Sequence, residues 1–301
     1  MWKKTLDQLV LLPRAHQLAA IEELWTIYER TDYEQWNTAF GSRSLYDAWA
    51  RLPFMRSLYN HNRSLIRQAL QGRSDWHVVE IGGGNGALWQ NFLSTLHPGT
   101  LTLIDPNVDA HVAISGRLPE HVKFRALNYD VERVEIPDAD VIVCSLTLHH
   151  IAGMNTAQRR AFGLDGDGKK EILQRVVAAI RDRHGIAILN EADCYNEIDL
   201  APGDPVLVDH FIDVYIRRAA RGIAAALEMP GADPELRQAW ELILKHWCID
   251  QVALALSPRD QRDVYELDVV HWLSLLADVG AEVTTHCYTD TLHLFQQYVF
   301  R

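Results

Sequence analysis

Cysteine is scarce. Four occur in 301 residues, Cys144, Cys194, Cys248 and Cys287, with no CxxC pair and no Cys/His spacing of a zinc site. That excludes disulfide scaffolds and zinc ribbons and suits thiols kept reduced in a cytosol. Long apolar runs are also missing. None approaches the roughly 18 residues of a membrane span, and Leu9–Leu12 stops at Pro13-Arg14, short of a signal-peptide core of about 7–15 residues. No membrane partner and a cytoplasmic location are therefore expected. Positive charge is in deficit: 29 Lys and Arg face 40 Asp and Glu, a net −11. That opposes any binding mode that neutralises many phosphates, so no nucleic-acid partner is expected. Neither G-x-S-x-G nor H-E-x-x-H occurs, so serine-hydrolase and zincin chemistry lack support. What is present is 48% hydrophobic and 23% charged residues, enough to bury a sizeable core.

Periodicity divides the chain. Residues 1–70 read as helical, with Leu6, Leu9, Val10, Leu12, Leu18, Ile21, Leu24, Trp25 and Tyr28 at helical spacing. An aromatic-rich stretch follows, from Tyr33, Trp36 and Phe40 to Tyr46, Trp49, Phe54 and Tyr59. Short apolar strands then begin: His77–Ile81, Leu101–Ile104, Val122–Leu127, Val141–Cys144 and Ile186–Leu189, with helical patterns at Ala87–Leu96 and Lys170–Ile180. Such alternation predicts a parallel sheet covered on both faces. Residues 201–263 break it with two helical stretches punctuated by Pro202-Gly203 and Pro230-Gly231; Phe211, Tyr215, Ala219 and Ile223 share one face, and Trp240, Ile243, Leu244 and Trp247 another. A helix over Val269–Val279 and two strands, Ala281–Tyr288 and Leu292–Phe300, close the chain as an antiparallel hairpin.

Glu80-Ile81-Gly82-Gly83-Gly84-Asn85-Gly86 is the most informative segment. It follows a strand and is expected to open a helix, whose N-terminus attracts anions. Glycine permits a sharp turn and close approach of a ligand. Gly82, Gly84 and Ala87 satisfy the dinucleotide pattern G-x-G-x-x-G/A. The same glycines also satisfy E-x-G-x-G-x-G, in which Glu80 can pair with a ligand ammonium group; a pyrophosphate would gain nothing from it.

With Asp105 and Asp130 at later strand ends, and Ser145-Leu146-Thr147-Leu148-His149-His150 after the fourth strand, the chain resembles the class I S-adenosylmethionine-dependent methyltransferases. The resemblance covers residues 71–200 and 264–301. It implies a Rossmann-like, doubly wound, mostly parallel seven-stranded α/β sheet with a C-terminal antiparallel hairpin. It implies S-adenosylmethionine as cofactor and S-adenosylhomocysteine as product. Gly82, Gly84 and Gly86 would let the cofactor cross the first strand end, and Glu80 would meet its amino group. Asp105, followed by Pro106, would take the ribose hydroxyls, and Asp130 the adenine amino group, with Tyr129 stacking. Ser145 and Leu146 would border the methionine portion.

Methyl transfer from a sulfonium needs the nucleophile held about 3–3.5 Å from the methyl carbon with water excluded. His149 and His150 lie where ligands bind and suit general-base work; the alternative is that they fix loops or line the cofactor site. Glu191 and Asp193 follow the fifth strand, where they could bind a cationic substrate, act as base, hold a metal, or only cap. No metal is assigned. Tyr46, in a Tyr-Asp segment before the core, would cover the cofactor or simply pack. His210 and Tyr215 could face substrate, whereas Asp209, Asp213, Arg217 and Arg221 read as a solvated face with i,i+4 pairs. Asp165-Gly166-Asp167-Gly168 lacks the remaining ligands of a calcium loop and reads as a loop before a helix starting near Lys169.

The expected organisation is a helical cap over 1–70, a cofactor core over 71–200, a helical lid over 201–263, and completion of the sheet over 264–301. The expected function is methylation of a small, apolar or aromatic acceptor, as in specialised metabolism. A dinucleotide-dependent oxidoreductase using NAD or NADP, and a non-methylating S-adenosylmethionine binder such as a cyclase or partner subunit, stand as alternatives. A homodimer is compatible with all three.

Overall fold

The computed structural model describes residues 8–9, 11–29, 43–151, 167–193, 201, 203–229, 233–244 and 267–301. Tyr33, Trp36, Phe40, Cys194, Cys248, Trp247, Pro230-Gly231 and Asp165-Gly166 lie outside the described residues, as do the side chains of Ile21, Leu24, Trp25, Tyr28, Phe211 and Tyr215.

Seven strands form one sheet: β1 Trp76–Ile81, β2 Gly99–Ile104, β3 Val122–Leu127, β4 Val141–Ser145, β5 Ile186–Ala192, β6 Val283–Tyr288 and β7 Phe295–Phe300. Their order is β3-β2-β1-β4-β5-β7-β6. The first five are parallel. β7 runs antiparallel to both β5 and β6, so the closing hairpin places its second strand inside the sheet. Every residue of β7 is buried, as a strand covered on both faces must be.

Alternate side chains feed two cores. Val78, Leu101, Leu103, Val141 and Val143 pack on one face with Ile66 and Leu70, from the end of α3 (Pro53–Ala69), together with Trp89. Val79, Ile81, Ile142, Cys144 and Leu189 pack on the other against Ile172, Val176 and Ile180 of α5 (Asp167–Arg181) and Trp272 and Leu276 of α9 (Val269–Asp278). The helix begins at Asp167, two residues before the position expected from Lys169.

A third core joins the leader to the insertion. α1 (Arg14–Glu29), α2 (Arg43–Ala50) and α3 supply the leader helices. The insertion runs through α6 (Pro205–His210), a π-helical segment Phe211–Ala220 and α7 (Arg221–Leu227), followed by helical residues 234–244, α8. Leu52, Phe54 and Leu58 meet Ile212, Ile216, Ile223, Trp240 and Phe295 there. The Trp240 indole donates to the Ala48 carbonyl at 2.8 Å, which satisfies a polar group that burial would otherwise leave unpaired. The i,i+4 reading of the exposed face holds at Asp213 and Arg217, 2.5 Å apart.

One element departs from expectation. Ala87–Leu96 is not an α-helix but two 3₁₀ turns, Ala87–Trp89 and Leu93–Thr95, separated by Asn91 in the left-handed region. Arg63 supplies the reason. Its guanidinium takes the carbonyls of Ala87 at 2.6 Å and Leu88 at 2.8 Å, which a helix would use for its own ladder. The glycine loop therefore lacks the long α-helix whose dipole was expected behind it; α4, Val108–Ser115, is the first helix after β2.

Candidate active site

In a parallel sheet, ligands bind outside the carboxyl ends of the strands where the strand order reverses. Here that point lies between β1 and β4. The loop after β1 carries the glycines and the turn after β4 carries Ser145–His150. Between them lies a cleft of about 620 Å³, within the size range of small-molecule sites.

The glycine loop is shaped by what would collide with it. Gly82 has φ 75°, and a Cβ there would stand 2.1 Å from Thr147 Oγ1. Gly84, at φ 51°, has nothing within 4 Å of a notional Cβ, so its bare side is open space on the cleft wall. Asp105 fastens the loop: one carboxylate oxygen accepts the Gly83 N–H at 2.9 Å and the other the Asn107 N–H at 2.8 Å. Asn85 links it to the leader, donating to Asp47 at 2.8 Å, and Arg117 lies 3.7 Å from the same carboxylate. This sets Tyr46, beside Asp47 on α2, over the cleft. Burial, then the charge of Asp105, raises the Tyr46 phenol pKa above its ordinary value.

Glu80 lies at the floor, 4% exposed, and accepts the Trp89 indole N–H. Burial pushes its pKa up to about 8, against the lowering effect of the Trp89 bond, and Asp105 adds to the rise. The floor therefore holds a carboxyl that is mostly protonated at neutral pH and is available to be ionised by a nearby cation.

Of the residues picked from the sequence, Glu80, Gly82, Gly84, Asp105, Pro106, Asp130, Ser145, Leu146, Tyr46 and His150 line this cleft. Gly86 sits behind the loop, at φ 70° against Ile114. Tyr129 is 60% exposed and stands apart from the lining residues; Val131 and Glu132 take up that end instead. Glu191 and His149 are also apart from the lining. Glu191, 1% exposed, lies within β5 rather than after it. Its Oε1 accepts the Leu148 N–H at 2.7 Å and the Thr147 N–H at 3.2 Å, and its Oε2 the His149 Nδ1–H at 2.7 Å. Asp193 is taken up by Tyr288 and Gln296, at 2.7 and 2.9 Å, and so stiffens the closing hairpin. His210 lies apart from the cleft lining; burial brings its pKa down to about 4.

Sequence reading missed the polar floor beneath Ser145, built from Asn62, Asn190 and Gln297, each at most 1% exposed. Their partners come from α3, β5 and β7, so no local motif could reveal them. It also missed that Trp49, Met55 and Tyr59 line the cleft beside Tyr46. Among the described residues, no group of three or more His, Cys, Asp or Glu is arranged to hold a metal ion, and no helix is long and apolar enough to cross a membrane.

Residues 79–168 match the family model of a methyltransferase domain. No curated protein matches the chain. Solved structures with which it shares similarity include an S-adenosylmethionine-dependent methyltransferase from Leishmania major, at 13% identity over 87% of this chain and 83% of that one, TM-score 0.47. A protein from Bordetella parapertussis described as a possible exported protein matches at 15% identity, over 83% and 70% of the two chains, TM-score 0.48. The N-methyltransferase NodS from Bradyrhizobium japonicum, in complex with S-adenosylhomocysteine, matches at 13% identity, over 83% and 88%, TM-score 0.42. The sheet order and the methyltransferase-domain match over residues 79–168 agree with the class I S-adenosylmethionine-dependent methyltransferase superfamily that the motifs from Glu80 to His150 resemble.

Proposed function

We propose that the protein transfers the methyl group of S-adenosylmethionine to a small, largely apolar acceptor. One observation carries this reading: a single cleft unites Gly84's open wall, the Asp105 carboxylate, the buried Glu80 and an aromatic rim of Tyr46, Trp49 and Tyr59. The residues present fit the cofactor. Asp105 retains lone pairs beyond those given to Gly83 and Asn107, as a ribose diol requires. Asp130 and Glu132 lie at the β3 end, where an exocyclic amine would be accepted. Glu80 offers a carboxyl that an ammonium group would ionise.

The bound cofactor supplies a methyl group on a sulfonium, an electrophile for in-line displacement. The chain's own groups do the rest. Glu191 fixes the His149 ring, whose Nε2 then accepts from His150 Nε2–H at 3.1 Å. His150, on the cleft wall, is the candidate to take a proton from an acceptor hydroxyl. The third hydrophobic core packs leader and insertion together beside this rim. On that basis residues 1–70 and 201–263 serve as cap and lid on the core of 71–200 and 264–301, excluding water and selecting the acceptor. Unbridged Cys144 and Cys287 suit a cytoplasmic setting.

Two features disfavour NAD or NADP. A dinucleotide fold sets its pyrophosphate on the helix after the glycine loop, and only 3₁₀ turns follow here. The buried Glu80 carboxyl under the loop is also a group that a cation would ionise and a pyrophosphate would not, so it favours a ligand with an ammonium group. Calorimetric titration with S-adenosylmethionine, S-adenosylhomocysteine, NAD and NADP tests the reading. Binding of the nicotinamide cofactors alone would overturn it. Screening small phenols, amines and activated carbon acids for S-adenosylhomocysteine release then separates a methyltransferase from a non-methylating binder.

A further inference from the structure

Four side chains close a ring beneath the cleft. Gln297 Nε2 donates to Asn62 Oδ1 at 2.7 Å and to Asn190 Oδ1 at 3.0 Å. Asn62 Nδ2 and Asn190 Nδ2 in turn donate to Ser145 Oγ at 3.1 and 2.9 Å. The direction of this ring is forced. If both Asn amides were reversed, their two oxygens would face Ser145, which has one proton and could serve only one of them. As drawn, Gln297 Oε1 faces the Cys287 thiol at 3.9 Å, a donor, which agrees with the same direction.

The consequence falls on Ser145. Both its lone pairs are taken from inside the protein, and among the described residues its hydroxyl donates to none. In a tetrahedral oxygen the remaining direction points away from the two donors below, and Ser145 lies on the cleft wall. We infer that Asn62, Asn190 and Gln297 lock the Ser145 hydroxyl as a donor into the cleft, where it binds the carboxylate of the cofactor's amino-acid arm. The inference rests on the proposed S-adenosylmethionine site. With the nucleoside assigned to Asp105 and Asp130 at β2 and β3, the β4 end meets the sulfonium and the amino-acid arm. There the ammonium and the sulfonium are not acceptors; the carboxylate is. An uncharged donor suits it, because Glu80 beneath the loop answers the ammonium.

Two ligands separate the arm from the nucleoside: S-adenosylhomocysteine, and 5′-methylthioadenosine, which lacks the amino acid. Titration of the full chain by calorimetry should show Ser145→Ala weakening S-adenosylhomocysteine about tenfold and leaving 5′-methylthioadenosine unchanged. Ser145→Cys, nearly isosteric and a poor donor, should do the same and serves if the alanine variant fails to fold. Asn62→Leu releases one lone pair and lets the proton swing, so the loss should be two- to threefold, again only for the ligand with the arm. Unchanged S-adenosylhomocysteine affinity in Ser145→Ala or Ser145→Cys overturns the assignment, and so does an equal loss for both ligands. Failure of the wild-type protein to bind either ligand is a different result, and it overturns the cofactor reading itself.

Discussion

Glu191 Oε2 and His149 Nδ1 stand 2.7 Å apart, and the other oxygen of the same carboxylate holds the backbone of Leu148 and Thr147. One buried group on β5 thus sets both the turn after β4 and the tautomer of the first histidine in it. Glu191→Ala strands three donors, the Leu148 N–H buried and those of Thr147 and His149 half-buried. Each costs roughly 1–3 kcal/mol when left unpaired, so urea denaturation should show a loss of about 3 kcal/mol or more. A loss below about 1 kcal/mol would mean that the turn finds other partners.

Gly82 and Gly84 should respond differently to the same added methyl. Gly82→Ala forces a Cβ against Thr147 Oγ1 in addition to the positive φ, so it should destabilise the fold by about 2 kcal/mol or more in thermal or chemical denaturation. Gly84→Ala meets no neighbour and bears only the backbone cost of about 1 kcal/mol, while its methyl occupies cleft space. It should weaken S-adenosylhomocysteine at least tenfold by calorimetry. Equal stability losses in the two variants would contradict the packing of Thr147 against the loop.

Asp105→Ala removes the acceptor for the Gly83 and Asn107 N–H groups along with the ribose partner. S-adenosylhomocysteine affinity should fall well over tenfold. Unlike Ser145→Ala, the variant should lose 5′-methylthioadenosine to the same degree, because both ligands carry the ribose. Retained affinity would remove Asp105 from the site.

Glu80 predicts a pH dependence. Its folded pKa, raised to about 8 chiefly by burial, lies above the unfolded value near 4.5. Between those limits the folded state holds more protons than the unfolded state. The contribution to stability is therefore full below about pH 4.5, falls as pH rises, and is gone above about pH 8. Glu80→Gln should flatten that slope in denaturation curves recorded across pH 5–8. For the wild-type protein at pH 7, binding a ligand with an ammonium group should release a proton, read as a dependence of the calorimetric heat on buffer ionisation enthalpy. No such dependence would separate Glu80 from the ammonium.

Much of the site was legible because its groups sit at strand ends. A strand that stops at Gly82, Asp105 or Ser145 announces its carboxyl edge, and a parallel sheet brings such edges together. The expected helix after Ala87 failed for a reason outside its own segment, the capture of two carbonyls by Arg63 on α3. Tyr129 adjoins Asp130 in sequence, yet adjacent residues point to different sides, and only Asp130 faces the cleft. Glu191 lies beyond the apolar run Ile186–Leu189 that marks the strand in sequence, whereas the strand continues through it to Ala192 and turns it inward.

The sequence by itself determined the alternation of strands and helices, the glycine loop and the carboxylates that end β2 and β3, because each depends on local geometry and on the spacing of apolar residues. Only the tertiary structure decided which way the Ser145 hydroxyl points, which histidine the buried Glu191 holds, and that Asp47 of the leader fastens Asn85 of the loop. Those facts depend on donors and acceptors brought together from α2, α3, β5 and β7, and a hydrogen bond's direction is fixed by the whole ring of partners rather than by any one residue in it.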